Sequence, residues 1–224
     1  MRNGKSRALL ITGSAAMLAF VLWTAAVSCI DVRAIGPLGS RVGFAALNRA
    51  VHAMTGVHMA LYTVTDWLGM IPLAAAAVFA AVGAAQMIKR RSILKVDADI
   101  LLLGIFYAAV LAVYLLFEAH PVNYRPVLID GRLEASYPSS TTLLTMCVVP
   151  TTAVQLNARV KNRALSRVLT WLLGTFTAMM VAARLLSGVH WVTDIIGGVL
   201  ASAGLVLLYC GAAYGASARR STTE

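Results

Sequence analysis

Three ionisable residues, Arg184, His190 and Asp194, lie close together in a chain that is otherwise strongly apolar. His190 and Asp194 are four residues apart, so on a helix they share one face. A carboxylate in that position can hold an imidazole in one tautomer and favours its charged form. Arg184 carries a permanent positive charge in a forked side chain that suits an oxyanion such as phosphate. Between them, Ser187 and Gly188 predict a turn that joins two apolar segments.

A second polar group lies earlier in the chain, in the connector of residues 118–140. Arg125 supplies another guanidinium for an anion. Pro138, Ser139 and Ser140 mark the start of a helix, where free backbone N–H groups and the positive end of the helix dipole form an anion site. Together the two groups offer two guanidiniums, a helix N-terminus and a carboxylate-linked imidazole. This set suits phosphoryl transfer by a histidine nucleophile.

The composition indicates an integral membrane protein. Of 224 residues, 59% are hydrophobic and 12% are charged, with a mean hydropathy of +0.78. A soluble domain carries about twice that charged fraction, roughly 25%. The net charge of +10 does not indicate a nucleic-acid partner, because the basic residues form short clusters between apolar segments. We expect these clusters to set the topology and to meet anionic lipid headgroups.

The hydropathy pattern predicts an all-α fold, a bundle of six transmembrane helices in a single integral membrane domain over residues 1–224. The predicted spans cover residues 8–30, 67–88, 98–117, 141–158, 168–186 and 192–213. The fourth span is short and contains Pro150, which predicts a kink. Small residues recur four apart in the last span, which favours close packing within the bundle. These pairs are Gly197 with Ala201, Gly198 with Ser202, and Gly211 with Gly215.

The spacing of apolar residues in the connector after the first span, residues 31–59, predicts a short helix there. Leu47, Val51 and Met54 fall on its apolar face, whereas polar residues such as Asn48 fall largely on other faces. This pattern is typical of an amphipathic helix that lies in the membrane interface. A packed helix without a lipid role fits the pattern equally well.

The charge distribution predicts which loops face the same side of the membrane. An even number of spans puts both termini on one side, and that side holds 13 of the 19 Lys and Arg residues. The positive-inside rule therefore places both termini in the cytoplasm, in a topology that suits a bacterial cell membrane. The loops that carry Arg125, Ser139, Arg184 and His190 then share the extracytoplasmic face, so their side chains can meet.

Of three short motifs in the chain, the third most closely resembles a motif of the type 2 phosphatidic acid phosphatase superfamily. These are membrane lipid phosphatases that share a pocket with vanadium haloperoxidases. Their third motif, Ser-Arg-x5-His-x3-Asp, is matched at Arg184, His190 and Asp194, with Ala183 in place of the serine. The resemblance covers about residues 60–215, which we take as the phosphatase-like core.

The other two motifs are degenerate. The first keeps Arg125 and its following proline but has Glu118 where the family has lysine. The second keeps Pro138-Ser139 and then reads Ser140-Thr141 where the family has Gly-His. The three motifs occur in the family order and fall on one predicted membrane face.

The resemblance implies a role for each matched residue. His190 would attack phosphorus and form a phosphohistidine, and Asp194 would orient His190 and stabilise its cation. Arg125 and Arg184 would bind the phosphate oxygens, helped by Ser139 and the amides near Ser140. Water would then hydrolyse the intermediate. The substrate would be a lipid phosphate within the bilayer.

The two departures from the family pattern act on the choice of substrate in opposite directions. Thr141 stands where the family histidine protonates the leaving group, and losing such an acid costs about 10²–10⁴ in rate for a poor leaving group. A prenyl diphosphate such as undecaprenyl diphosphate is less affected, because its leaving group is itself a phosphate. Glu118 removes a positive charge, which disfavours a strongly anionic substrate.

Two other residues are candidates for the missing acid besides Thr141 itself. Tyr137 precedes the second motif, but an unperturbed tyrosine is a poor acid at neutral pH. His120 has the right chemistry, although an interfacial loop histidine is the simpler interpretation. No carboxylate or histidine cluster has metal-ligand spacing, so neither a metal nor an organic cofactor is predicted.

Two other functions compete with the lipid phosphatase. A catalytically impaired relative would bind a lipid headgroup or a partner protein in the old pocket. A small transporter fits less well, because the sequence has no internal repeat and no pair of interrupted helices in matching halves.

Overall fold

The computed structural model describes the backbone of residues 2–223 and the side chains of residues 4–216. Within that range, eight α-helices make up nearly all of the fold. They are α1 (Arg2–Cys29), α2 (Ala45–Thr55), α3 (Met59–Leu68), α4 (Met70–Arg90), α5 (Ala98–Ala119), α6 (Ser140–Arg159), α7 (Arg163–Leu186) and α8 (Val192–Thr223). A two-stranded antiparallel ribbon, β1 (Arg33–Ala34) and β2 (Arg41–Val42), precedes α2, and short 3₁₀ turns lie at Pro37–Gly39 and Ile93–Lys95.

Five helical segments of the described chain are long and apolar enough to cross a membrane. They are Gly4–Cys29, Met59–Arg90, Ala98–Ala119, Arg163–Leu186 and Val192–Ala216. Each coincides with a predicted span. The predicted fourth span is helical, as α6, but it is not among these segments because threonine recurs along it. Its status as a sixth membrane span stays a prediction.

Helix α6 packs against α4, α5, α7 and α8, and several of its polar side chains are buried. Thr151 is fully buried, and its hydroxyl lies 3.2 Å from the hydroxyl of Tyr107. The amide of Gln155 donates to the hydroxyl of Tyr209 at 2.8 Å. Buried polar groups are stable only when they find such partners. This arrangement explains how a helix of modest hydropathy occupies the core.

Helix α1 runs along α8, and Gly204 and Gly211 of α8 face it. A Cβ atom added at Gly204 would lie 2.6 Å from Sδ of Met17, and one added at Gly211 would lie 2.8 Å from Cγ of Leu10. The hydroxyl of Ser6 donates to the carbonyl of Gly211 at 2.7 Å. These small residues therefore serve helix packing within the chain.

Helix α2 presents polar side chains to the bundle and apolar ones outward. Asn48 is fully buried, and its amide donates to Oγ1 of Thr193 at 3.0 Å. Met54 is 86% exposed, and Leu47 also lies on the surface. This orientation is compatible with a helix that contacts lipid at the interface, which stays a prediction.

The second candidate span is interrupted where α3 meets α4. Gly69 separates the two helices, and Pro72 follows in the first turn of α4. Proline has no N–H to donate and its ring crowds the carbonyl four residues earlier, so the helix is interrupted there. Helix α3, before the interruption, packs against α7.

The connectors α5–α6 and α7–α8 meet at one end of the bundle, which we call the site end. The hairpin-like connector of residues 30–44 joins them there, since the amide of Gly43 donates to Oδ1 of Asn123. Ion pairs between Arg90 and Asp97 and between Arg159 and Asp99 lie at the opposite end. The side chains of Arg219 and Arg220, which the topology prediction counts, lie outside the described residues.

The α1–α8 contact predicts how the bundle responds to added bulk. Gly204→Leu should lower the stability by about 1–3 kcal/mol, because the new side chain overlaps Met17. Thermal unfolding in detergent, followed by circular dichroism, measures the change. Gly104→Leu is the matched control, because nothing lies within 4 Å of a Cβ added there. Equal losses in both variants would contradict the packing described above.

Candidate active site

The two predicted polar groups meet at the site end. Nη1 of Arg125 lies 3.1 Å from Nε2 of His190, although the residues are 65 apart in sequence. The indole of Trp191 donates to the carbonyl of Tyr124 at 2.7 Å, and the amide of Ser139 donates to the carbonyl of Asp194 at 3.0 Å. These bonds tie the α5–α6 connector to the α7–α8 turn.

The hydrogen bonds of His190 fix its tautomer. A guanidinium only donates, so Nε2 of His190 accepts from Arg125 through its ring lone pair and carries no proton. The proton is therefore on Nδ1, which donates to the carbonyl of Ser136 at 3.2 Å. Oδ2 of Asp194 is farther from Nδ1, at 3.7 Å. The nearest orienting group is thus a backbone carbonyl, which the sequence analysis did not foresee.

The carboxylate of Asp194 organises the turn as well as the imidazole. Its Oδ2 accepts from the amide of Trp191 at 3.0 Å, and its Oδ1 accepts from the side-chain amide of Asn123 at 3.0 Å. The residue is fully buried and lies in the first turn of α8, where a negative charge is stabilised by the helix dipole. It therefore links the start of α8 to both connectors.

Burial sets the protonation of His190. Desolvation lowers the pKa of His190 to about 4; Asp194 opposes this by raising the pKa, and the nearby charges of Arg125 and Arg184 lower it further. The imidazole is 3% exposed. The ring is therefore neutral near pH 7, which is the form that can act as a nucleophile.

Arg184 is held by α3, an element that the sequence analysis did not connect with the site. Its Nη1 donates to Oγ1 of Thr65 at 3.0 Å, and its Nη2 lies 3.6 Å from Oδ1 of Asp66. The guanidinium also lies 4.7 Å from the ring centre of Tyr62, and that of Arg125 lies 5.9 Å from the same ring. The available signal was Asp66 itself, an ionisable residue close to an apolar segment.

Arg125 also has a carboxylate partner. Its Nε lies 3.0 Å from Oε2 of Glu134, and its backbone amide donates to the carbonyl of Glu134 at 3.0 Å. An isolated antiparallel bridge between Tyr124 and Ala135 brings Glu134 alongside. Sequence spacing gave no indication of this pair, because it depends on how the connector folds back.

The second motif forms the start of α6. Ser139 is fully buried and caps the helix, with its hydroxyl accepting from the amide of Thr142 at 3.5 Å. That hydroxyl serves the helix, whereas Ser140 lines the adjoining cavities. The predicted binding role of both serines stays a prediction.

The three candidate acids are not gathered around His190. The hydroxyl of Tyr137 is hydrogen-bonded to Thr24 of α1 at 2.7 Å, and burial raises the pKa of Tyr137 above its ordinary value. His120 is exposed at the end of α5, with Nδ1 3.2 Å from the carbonyl of Leu116. Thr141 faces α3, since a Cβ added at Gly69 would lie 3.8 Å from its methyl group.

Two cavities adjoin the site. The polar cavity, about 510 Å³, is lined by charged and hydroxyl side chains that include Glu118, Arg125, Arg132, Glu134 and Ser136. The apolar cavity, about 550 Å³, is lined by α3, α4, α5 and α6. Tyr114, Ser140 and Leu143 line both. A polar space that continues into an apolar one fits a headgroup attached to a hydrocarbon chain.

The described residues contain no group of three or more His, Cys, Asp or Glu side chains that could hold a metal ion. Each guanidinium at the site lies beside a carboxylate, Glu134 next to Arg125 and Asp66 next to Arg184, and the other guanidinium N–H groups and the nearby hydroxyls are the donors available to a ligand. This donor set suits an anion.

Comparisons with known proteins agree with the motifs. The chain is similar to the solved structure of a transmembrane PAP2 type phosphatidylglycerolphosphate phosphatase from Bacillus subtilis, with a TM-score of 0.55 and 19% identity over 92% of this chain and 96% of that one. No curated protein matches. The PAP2 superfamily matches residues 104–215, half of the chain, a region that contains all three motifs. The chain is therefore an integral membrane protein that belongs to the PAP2 superfamily.

Proposed function

We propose that this protein is a lipid phosphatase that hydrolyses a lipid phosphate or prenyl diphosphate through a phosphohistidine. The observation that carries the proposal is the contact of Arg125 with Nε2 of His190 at 3.1 Å. This contact brings the neutral imidazole of His190, a potential nucleophile, next to a guanidinium that can donate to a phosphate oxygen, and both groups are buried. A phosphate oxygen bound by that guanidinium would bring phosphorus within reach of Nε2.

Unsatisfied polar atoms also support an anionic ligand. Within the described residues, Nε of Arg184 and the hydroxyl of Ser136 are buried without a hydrogen-bond partner. An unpaired buried donor costs about 1–3 kcal/mol, so such groups point to an absent acceptor. Phosphate oxygens are acceptors of the required kind.

The proposed reaction has two steps. Nε2 of His190 attacks phosphorus, and the bond from phosphorus to the lipid oxygen breaks with its electron pair on that oxygen, which leaves as the lipid phosphate or, from a monoester, as the lipid alcohol after taking a proton from water. The phosphohistidine cation is stabilised by Asp194 and the carbonyl of Ser136. Arg125 and Arg184 neutralise the charge that develops on the phosphoryl oxygens. Water then attacks phosphorus, inorganic phosphate leaves, and His190 regains its lone pair.

The charge distribution supports a substrate in the outer leaflet, and the two cavities support a substrate that stays in the bilayer. The site end corresponds to the face with fewer Lys and Arg residues, which the positive-inside rule assigns to the extracytoplasmic side. The headgroup would occupy the polar cavity and the hydrocarbon chain the apolar one. We therefore propose that the lipid reacts without leaving the membrane.

Removing the nucleophile tests this proposal against the binding-protein alternative. His190→Ala should lower phosphate release by at least about 10³-fold, because no covalent intermediate can form. Release of phosphate from a detergent-dispersed lipid phosphate measures the effect. His58→Ala is the control, since that ring is exposed and hydrogen-bonds to the carbonyl of Thr55 in its own loop. Equal phosphate release from wild type and His190→Ala would favour a binding protein.

The position of the acid limb of the pH–rate profile is a second test. Because the folded pKa of His190 is lowered to about 4, the imidazole stays neutral as the pH falls through 6.5 and is protonated only near pH 4. The acid limb of kcat/KM that is due to the nucleophile should therefore lie near pH 4. Asp194→Asn removes a group that raises this pKa and should move the limb to lower pH. An unshifted nucleophile limb at pH 6.5 would contradict the burial described here.

The absence of a histidine at position 141 favours a diphosphate substrate. Undecaprenyl diphosphate should turn over faster than phosphatidic acid, because its leaving phosphate needs little protonation. Thr141→His should raise the rate on phosphatidic acid more than the rate on the diphosphate. Both rates are measured on the purified protein in the same detergent. Faster turnover of phosphatidic acid by wild type would refute the preference.

A further inference from the structure

Asp66 is an acidic residue that the reaction described above does not use. Among the described residues it is the one acidic residue that lines the apolar cavity, together with Ser140 and Thr141. Its side chain is 61% exposed, and Oδ1 lies 3.6 Å from Nη2 of Arg184. The carboxylate of Asp66 thus lies in the apolar cavity, next to the guanidinium of Arg184, which we propose binds phosphate.

The direction of attack decides where a base is needed. In an in-line displacement, the attacking and leaving atoms lie on opposite sides of phosphorus. His190 would attack from one side, so the lipid oxygen would leave from the other side, which we place toward Ser140 because that residue lines both cavities. The water of the second step must enter where the lipid oxygen was. A base for that water therefore has to lie at the mouth of the apolar cavity.

We propose that Asp66 is the general base for hydrolysis of the phosphohistidine, an inference that rests on the proposed function. Asp66 takes a proton from water as the water oxygen bonds to phosphorus. The bond from phosphorus to Nε2 of His190 breaks, and its electron pair returns to the nitrogen. Inorganic phosphate leaves, and the proton on Asp66 passes to solvent. Protons and electrons balance without a further reactant.

Other groups near the site are less suited to this task. The hydroxyl of Thr141 lies on the same cavity but does not accept a proton near neutral pH, whereas an ordinary carboxylate does. Glu134 is paired with Arg125 and lines the polar cavity. Tyr137 is directed toward α1 by its bond to Thr24. Asp66 therefore takes the place that the family histidine would have at position 141.

Rapid-quench kinetics of Asp66→Asn distinguishes a base from a positioning residue. With undecaprenyl diphosphate labelled on its terminal phosphate, wild type should show little enzyme-bound label. Asp66→Asn should show a burst of about one label per enzyme on His190, stable to alkali and labile to acid. Steady-state phosphate release should then fall by about 10²–10⁴-fold, the usual effect of losing a general base. Asp66→Glu, which keeps a carboxylate, should recover part of the rate without the burst.

Asp130→Asn is the matched control. Asp130 is exposed in a turn at the site end and lines neither cavity, and its backbone φ of 48° is one that asparagine also adopts. The amount of enzyme-bound label and the rate of phosphate release of Asp130→Asn should equal those of wild type. Slow release by Asp66→Asn without bound label would mean that Asp66 only positions Arg184, and would overturn the inference. Unchanged release would overturn it too. If wild type neither releases phosphate nor is labelled, the proposed function fails first.

Discussion

The buried contact between Arg125 and His190 is the interaction on which the rest of the site depends. A guanidinium removed from water costs several kcal/mol unless charges and hydrogen bonds compensate it. Here Glu134 lies 3.0 Å from Arg125, and the ring of Tyr62 contacts both guanidiniums. The imidazole beside it stays neutral, so two positive charges are not forced together. The carboxylates near the arginines are therefore part of the folded state as well as of the chemistry.

The helices around this contact hold it in place by close packing rather than by covalent links. Gly197 admits the ring of Tyr137, whose edge would lie 2.6 Å from an added Cβ atom. Gly188 adopts a positive φ of 68° and approaches the backbone of Gly56, where no side chain would fit. The α7–α8 turn thereby lies against the α2–α3 connector. Small residues let α1, α3 and α8 reach the site end together.

Sequence reasoning predicted the helices and the meeting of the two loops, because hydropathy fixes the segments and the positive-inside rule fixes which loops share a face. It recovered the pair Arg125 and His190 for the same reason. It missed Asp66, Thr65 and Glu134, whose roles depend on how α3 leans on α7 and how the connector folds back. It also assigned the orientation of His190 to Asp194 alone, since a backbone carbonyl such as that of Ser136 leaves no trace in a sequence.

The hydrogen bond from Arg125 occupies the lone pair of Nε2 while the site is empty. Nε2 is therefore not available to attack phosphorus. It becomes available only when a ligand draws the guanidinium of Arg125 away from it. An incoming anion does this, whereas an uncharged ester does not. If His190 is the nucleophile proposed above, this hydrogen bond would favour anionic electrophiles over neutral ones before their shape matters, and it would shield Nε2 from neutral reagents in the empty site.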